Sequence, residues 1–258
     1  MAAGTPDTVA PTPGAGGEIT VDAVAVEYRG ARGVTPALSR TTATFAPGSF
    51  TTLIGASGCG KSTLLNVIAG FVTPTAGTVT LDGAPITRPG PDRTVVFQQY
   101  ALLPWMSARQ NVEFGLAHLP LTRAQRRDRA LHALDEVRLA HAADSLPGEL
   151  SGGMAQRVSI ARALAGEPRV VLMDEPFGAL DAITRAVMQE LLVDLWRRTG
   201  LTVVFVTHDV DEALFLSQRI LLLSARPGRI VTDIPLTGAG PEERTRIRAE
   251  VVGHLGGH

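Results

Sequence analysis

The chain has 258 residues, with 24 Lys and Arg against 25 Asp and Glu, and a mean hydropathy of +0.15. That length allows one large domain or two small ones with a substantial core. The formal net charge of −1 argues against a dedicated nucleic-acid binder, which carries a basic excess. The single cysteine, Cys59, excludes an intrachain disulfide and suits a reducing compartment.

Residues 1–17, rich in Ala, Gly, Pro and Thr, lack the basic start and apolar core of a secretion signal and read as a disordered lead-in. No apolar run approaches the roughly 18 residues of a membrane span, so a cytosolic chain is expected and any membrane role needs a partner. Residues 19–28, "ITVDAVAVEY", alternate apolar and polar side chains as a half-buried strand does. "SFTTLIG" (49–55) is a strand that runs into a Gly-rich turn and then into a helix, "KSTLLNVIAG", ending at Gly70. Strand-type residues around Asp82 and Gly83 signal a hairpin over 77–87, and "RTVVFQQ" (93–99) is a further strand. From about 107 to 148 the pattern is helical, and its basic stretch "TRAQRRDRA" (122–130) reads as a solvated helix face. A helix over 155–166 precedes "RVVLMDEP", a buried strand, and then "AITRAVMQELLVDLWRRTG", a long helix. "LTVVFVTHD", "RILLLSA" and "RIVTDIPL" supply three more strands. Continuous apolar runs such as VVLM and VVFV predict parallel strands covered on both faces, hence an α/β fold. The polar end, 237–258, is a short tail with no assigned role, and no further domain is expected after it.

Three motifs carry chemistry. "GASGCGKS" (Gly55, Ala56, Ser57, Gly58, Cys59, Gly60, Lys61, Ser62) matches the phosphate-binding loop pattern in its required context, after a strand and before a helix. Its backbone N–H groups and the helix N-terminus favour phosphate oxygens. Lys61 suits the β- and γ-phosphates, Ser62 suits Mg2+, and Thr63 adds a phosphate contact. Cys59 reads as a small residue of this loop. The strand "RVVLMDEP" ends in two carboxylates: Asp174 suits the Mg2+ shell, and Glu175 points elsewhere and suits a water attacking the γ-phosphate. His208 ends the strand "VVFVTHD", at the edge where α/β ligand sites lie, and suits a γ-phosphate contact.

A second glycine pair stands in "LSGGMAQR" (150–157), which lacks a lysine. This stretch resembles the signature sequence of the ATP-binding cassette (ABC) family. Tyr28, "GASGCGKST", "VVFQQ", "LSGGM", "VVLMDEP", "GALD" and "VTHD" follow in the family's order over about residues 19–236. The resemblance implies a P-loop NTPase cassette over 18–236: a RecA-like core, an antiparallel β subdomain and an inserted helical subdomain at about 100–165. It implies ATP and Mg2+ as ligands, and two copies packed head to tail with two ATPs between them. Ser151, Gly152, Gly153, Gln156 and Asp181 would then meet the partner's nucleotide. It also implies that Tyr28 stacks on adenine, the alternative being a core tyrosine. Gln98, rather than its neighbour Gln99, would meet Mg2+ and sense the γ-phosphate. Met154 departs from the glutamine usual there, and activity is expected to survive.

By the same resemblance, "ALLPWMSARQNVEFGL" (101–116) would help form a groove for a helix of a membrane permease, with Trp105 and Met106 at the interface or else buried in the subdomain. The partners implied are a second copy, permease subunits and, indirectly, a substrate-binding protein, with no nucleic acid. The expected location is peripheral, on the cytoplasmic face of the membrane. "LLPW", "PFGALDAITR" and "VTHDVDEALFLSQRILLLSARPGRI" look like ATPases of the taurine, alkanesulfonate and nitrate import group, the taurine type most closely. Bicarbonate, cyanate and thiamine-precursor import remain alternatives. Non-transport ABC ATPases are disfavoured because long coiled coils, a tandem cassette and basic surfaces are missing. A cassette without hydrolysis is disfavoured because Glu175 and His208 are present.

Overall fold

The computed structural model describes residues 16–30 and 33–256. The lead-in read over 1–17 therefore lies almost wholly outside the described residues. Its last two residues are fastened: the carbonyl of Gly17 accepts from Thr202 Oγ1 at 2.8 Å and that of Gly16 from the Arg169 guanidinium at 3.4 Å.

Two sheets form. The smaller has the order β2-β1-β4-β5 and is antiparallel, built from β1 (Ile19–Gly30), β2 (Gly33–Phe45), β4 (Ala76–Leu81) and β5 (Ala84–Pro85). In β1 the simple alternation breaks at Ala23, which takes φ 47° in a bulge, with its N–H bonded to Thr42 Oγ1. The bulge shifts the phase, so Val24 and Val26 join Ile19 and Val21 inside. Asp82 and Gly83 both take positive φ and turn the chain as the hairpin signal required.

The larger sheet has the order β10-β9-β3-β8-β7-β6. Its strands are β3 (Phe50–Ile54), β6 (Arg93–Val96), β7 (Val170–Asp174), β8 (Thr202–Thr207), β9 (Arg219–Leu223) and β10 (Ile230–Pro235). Strands β9 to β6 run parallel, and β10 is an antiparallel edge. Every residue of β3 and β8 is buried, because α1 (Lys61–Ala69) covers one face and helices of the second half cover the other. Parallel strands place all their C-terminal ends on one edge, and β3, β7 and β8 deliver their following loops there together.

The helical subdomain comprises α2 (Ala108–Gly115), α3 (Arg123–Glu136) and α4 (Gly152–Leu164). Capping boxes start α2 at Ser107/Gln110 and α3 at Thr122/Gln125. Helix α5 (Ala182–Thr199) follows β7, α6 (Val210–Leu216) follows β8, and α7 (Pro241–Gly256) closes the chain.

Several elements differ from the sequence reading. β2 was not foreseen, because "GVTPALSRTTATF" mixes polar and apolar residues and lies at a sheet edge. α6 is only 7 residues long. The strand expected over 93–99 ends at Val96, which leaves Gln98 in a loop. The polar end forms α7, which buries Ile247 and Val251, one turn apart, against Val210, Ala213 and Leu236.

Candidate nucleotide-binding and catalytic site

The loop after β3 is tightly enclosed. Gly60, at φ 101°, is the N-cap of α1, and a Cβ there would stand 2.7 Å from the carbonyl oxygen of Ala37. Lys61, the first helical residue, is only 5% exposed. Its Nζ donates to the carbonyls of Gly55 at 2.7 Å and Ala56 at 3.0 Å. An ammonium has three donors, and the third is directed only at the weak acceptor Cys59 Sγ, so a phosphate oxygen can take that N–H. The first turn of α1 has no acidic side chain to compete with an anion. Cys59 is buried, with Sγ 3.9 Å from Lys61 Nζ.

β7 brings up the two carboxylates. Ser62 Oγ donates to Asp174 Oδ1 at 3.0 Å, as two oxygens sharing one cation shell would be placed. Burial raises the pKa of Asp174, and the neighbouring Glu175 adds to the rise, while Ser62 and Lys61 act against it. A divalent cation would relieve that penalty. Mg2+ characteristically takes one or two protein oxygens plus substrate phosphates, and Ser62 and Asp174 fit that donor set.

Glu175 takes φ 44°, a strained setting for a side-chain-bearing residue that costs on the order of 1 kcal/mol. Its N–H bonds to the Val206 carbonyl at the end of β8, and its own carbonyl accepts from Gly178 N. The turn separates the directions of Asp174 and Glu175. Glu175 Oε2 lies 3.1 Å from His208 Nδ1. A carboxylate only accepts, so Nδ1 is assigned the donor of this pair, and the rest of the exposed ring faces outward. Gln98 joins this group: a Cβ on Gly178 would meet Gln98 Nε2 at 3.2 Å and Glu175 Oε2 at 3.9 Å. Thus Lys61, Ser62, Asp174, Glu175, Gln98 and His208 gather at one edge of one sheet. Tyr28 is 45% exposed near the end of β1, so it is not a core tyrosine.

The signature stretch forms a second, separate face. Ser151 is the N-cap of α4, its Oγ accepting from Met154 N at 3.3 Å. The helix thus starts at Gly152, three residues before the expected position. Ser151 and Gly152 are exposed and Gly153 is buried. A Cβ on Gly153 would stand 2.4 Å from Thr184 Cγ2. Thr184 Oγ1 in turn donates to Asp181 Oδ2 at 2.7 Å. Asp181 caps α5, and the N–H groups of Thr184 and Ile183, with the Thr184 hydroxyl, hold its carboxyl below the usual carboxylate range. Asp181 and the signature glycines therefore share one surface, joined by Thr184, a residue the sequence reading missed. The D-x-x-T spacing was its signal. Tyr100 was also missed: its hydroxyl would lie 2.8 Å from a Cβ on Gly152.

Gln156 departs from expectation. It is fully buried, and neither amide atom has a hydrogen-bonding partner. It lies beneath the loop, so a direct contact with a partner's nucleotide does not fit its place.

Trp105 is 71% exposed, while Met106 is half-buried. The loop that carries them is held by Asn111, which is fully buried, accepts from Leu103 N and donates to the carbonyls of Leu103, Met106 and Ser107. Exposed Phe114 on α2 and the stacked pair Phe71–Phe97, 6.3 Å apart, add apolar surface.

The ABC transporter family model matches residues 38–178. The chain is 50% identical over 221 residues to the nitrate import ATP-binding protein NrtD of Synechocystis sp., covering 86% of this chain and 83% of that one. It is 52% identical over 216 residues to the taurine import ATP-binding protein TauB of Chromobacterium violaceum, covering 84% and 82%. A solved dimeric structure of a post-hydrolysis state of the ATP-binding cassette MJ0796 bound to ADP and Pi aligns with TM-score 0.75 and 34% identity, covering 85% of this chain and 99% of that one. This chain belongs to the ABC transporter family and has the fold of its ATP-binding cassette.

Proposed function

We propose that this chain is the ATP-hydrolysing subunit of an importer, and that two copies bind two ATP molecules between them. Tyr28 stacks on adenine. The loop from Gly55 to Thr63 holds the phosphates, with Lys61 on the β- and γ-oxygens. Ser62, Asp174 and Gln98 would hold Mg2+, which neutralises charge developing on the phosphates. Glu175 accepts the proton of the attacking water as its oxygen bonds to the γ-phosphorus and the bond to the β-phosphate oxygen breaks, releasing ADP and phosphate. His208 orients Glu175 through Nδ1, and its Nε2 faces the γ-phosphate side, where it would contact a phosphate oxygen only by donating an N–H. The observation that carries this reading is the single constellation of Lys61, Ser62–Asp174 and Glu175–His208 at the C-terminal edge of the parallel strands.

From the partner copy come Ser151, Gly152, the N–H groups that begin α4, and Asp181. Gln156 supports that loop from below. ATP closes the pair, and hydrolysis reopens it. The surface around Trp105, Phe97 and Phe114 takes a helix of the permease, which places the protein peripherally at the cytoplasmic membrane face. Among the described residues no helix is long and apolar enough to cross a membrane. A substrate-binding protein acts on the far side, and the solute never touches this chain.

The solute we propose is taurine or another sulfonate, supported by the 52% identity to TauB. Nitrate is the second reading, supported by 50% identity to NrtD. Labelled taurine and nitrate uptake in a strain lacking this protein separates them. The expected result is loss of taurine uptake alone, restored by the intact chain and not by Glu175→Gln. Lost nitrate uptake with unchanged taurine uptake moves the solute, and loss of neither removes both readings.

A further inference from the structure

The turn between β9 and β10 lies over the phosphate loop. Its Gly228 N donates to the Ala37 carbonyl at 3.1 Å, and its carbonyl accepts from Ser39 N at 2.8 Å. These bonds form a short parallel bridge to β2 at Leu38. On the other side Gly228 lies against the phosphate loop itself. A Cβ there would fall 1.8 Å from the Cys59 carbonyl oxygen and 2.9 Å from its carbon. The Ala37 carbonyl that accepts from Gly228 is also the atom a Cβ on Gly60 would meet, at 2.7 Å. The end of β9 touches the first loop residue too, since a Cβ on Gly55 would stand 3.0 Å from the Leu223 carbonyl oxygen. Three backbone segments, from β2, this hairpin and the loop, thus meet with no side chain between them. The φ of Gly228 is not among the positive ones, so the position calls for glycine by closeness and not by torsion.

We infer that Gly228 is a positioning residue for ATP binding: the β9–β10 hairpin braces the phosphate loop from outside and fixes the Cys59 peptide. A phosphate loop works by aiming several N–H groups at one point, so displacing one of its peptides weakens its hold on the phosphate oxygens. The same brace holds β2, which pairs with β1 at Thr35↔Tyr28, so it also registers the adenine platform against the loop. No nearby flexible side-chain end can give way at Gly228, because the obstructing atoms are backbone.

The inference rests on reading Gly55–Ser62 as the nucleotide site, so Gly228→Ala is compared with Lys61→Ala. Gly240→Ala, where a Cβ meets nothing within 4 Å, is the control. ATP titration and steady-state hydrolysis are run well below the melting temperature. We expect Gly228→Ala to raise KM and Kd for ATP about tenfold or more while kcat stays within about twofold. Unchanged KM and Kd in Gly228→Ala, with binding lost in Lys61→Ala, would overturn the brace and leave the loop reading standing. A fall in active enzyme at unchanged KM would overturn it as well, since that is lost folding only. Unchanged binding in Lys61→Ala would instead remove the loop reading. Should Gly228→Ala not fold, Ser39→Pro removes the N–H that the Gly228 carbonyl accepts, together with the Ser39 hydroxyl and the freedom of its φ, and is measured below its own melting temperature beside Ser39→Ala, which keeps the N–H. Ser39→Pro should raise KM a few-fold, and an unchanged KM there overturns the brace.

Discussion

The loops at Gly55–Lys61 and Ser151–Gly153 use the same backbone device, a glycine-bearing turn at a helix N-terminus, in opposite surroundings. Around the first, the chain gathers a buried lysine, a serine–aspartate pair and a glutamate–histidine pair. Around the second it supplies a capping serine spent on its own helix, a tyrosine hydroxyl and a threonine methyl. A helix N-terminus alone favours an anion by only about 0.3–1 kcal/mol when exposed. The first loop is thus equipped to bind triphosphate. The second is equipped to complete a site whose charges come from elsewhere. On the proposed function, the difference teaches that the reacting groups and the closing groups lie on two faces of each copy, which is the arrangement a two-copy ATP site needs.

The largest effect should follow from the reacting face. Glu175→Gln removes the proton acceptor and should lower turnover about 1,000-fold, while ATP still draws two copies together. A variant that stays monomeric on a sizing column at saturating ATP breaks the comparison. Next in size is complementation. Lys61→Ala and Ser151→Arg should each lower turnover about 100-fold alone. Differently tagged chains mixed into one dimer carry one doubly damaged site and one intact site, so hydrolysis should return. No recovery in the purified mixed dimer would place both loops in one copy's site. A smaller effect isolates the closing face. Gly153→Ala drives a methyl against Thr184 Cγ2, and Thr184 cannot swing aside without losing its bond to Asp181. Turnover should fall about tenfold with monomer ATP affinity unchanged. Thr184→Ser keeps the hydroxyl, removes the methyl and should restore activity. Failure of that rescue means Gly153 acts by another route.

Both faces were legible in the sequence, for different reasons. The first was carried by local pattern: a strand, a glycine turn and a helix specify where Lys61 and Ser62 stand. The apolar runs of β7 and β8 specify where Asp174, Glu175 and His208 end. The second was legible only through resemblance, since nothing in "LSGGMAQR" supplies a positive charge. Contacts joining distant segments were not legible. Gly153 and Thr184, Gly228 and Cys59, and Gln98 and Gly178 are tertiary neighbours without sequence periodicity. The burial of polar groups was also not legible, among them Asn111 under the Trp105 loop and Gln156, which was expected at the partner's nucleotide and lies under the signature. A polar residue in an amphipathic helix gives no sign of which polar position faces inward. The chain's end was misread as a plain tail because α7 buries so few apolar side chains that charge dominates its composition.

That last helix offers the smallest test, and it bears on the reacting face alone. α6 begins directly after His208, and α7 grips both of its ends. Arg248 makes a two-pronged pair with Asp211 at 2.6 and 3.0 Å in the first turn of α6, and Arg244 donates to the Leu214 carbonyl near its end. Arg248 holds the Asp211 carboxyl below the usual carboxylate range. A carboxylate with a depressed folded-state pKa stabilises the fold above its ordinary pKa, and that contribution disappears as pH falls through the folded value. The pair is exposed, so its effect is small. Arg248→Ala should therefore lower the melting temperature slightly at pH 7, and the gap to the parent chain should narrow progressively as pH falls below the ordinary aspartate value of about 3.9. A gap that persists there would mean that Arg248 acts through packing of its stem and not through charge. The Gly153→Ala defect should be the same in either background, since α7 touches α6 and not the signature face.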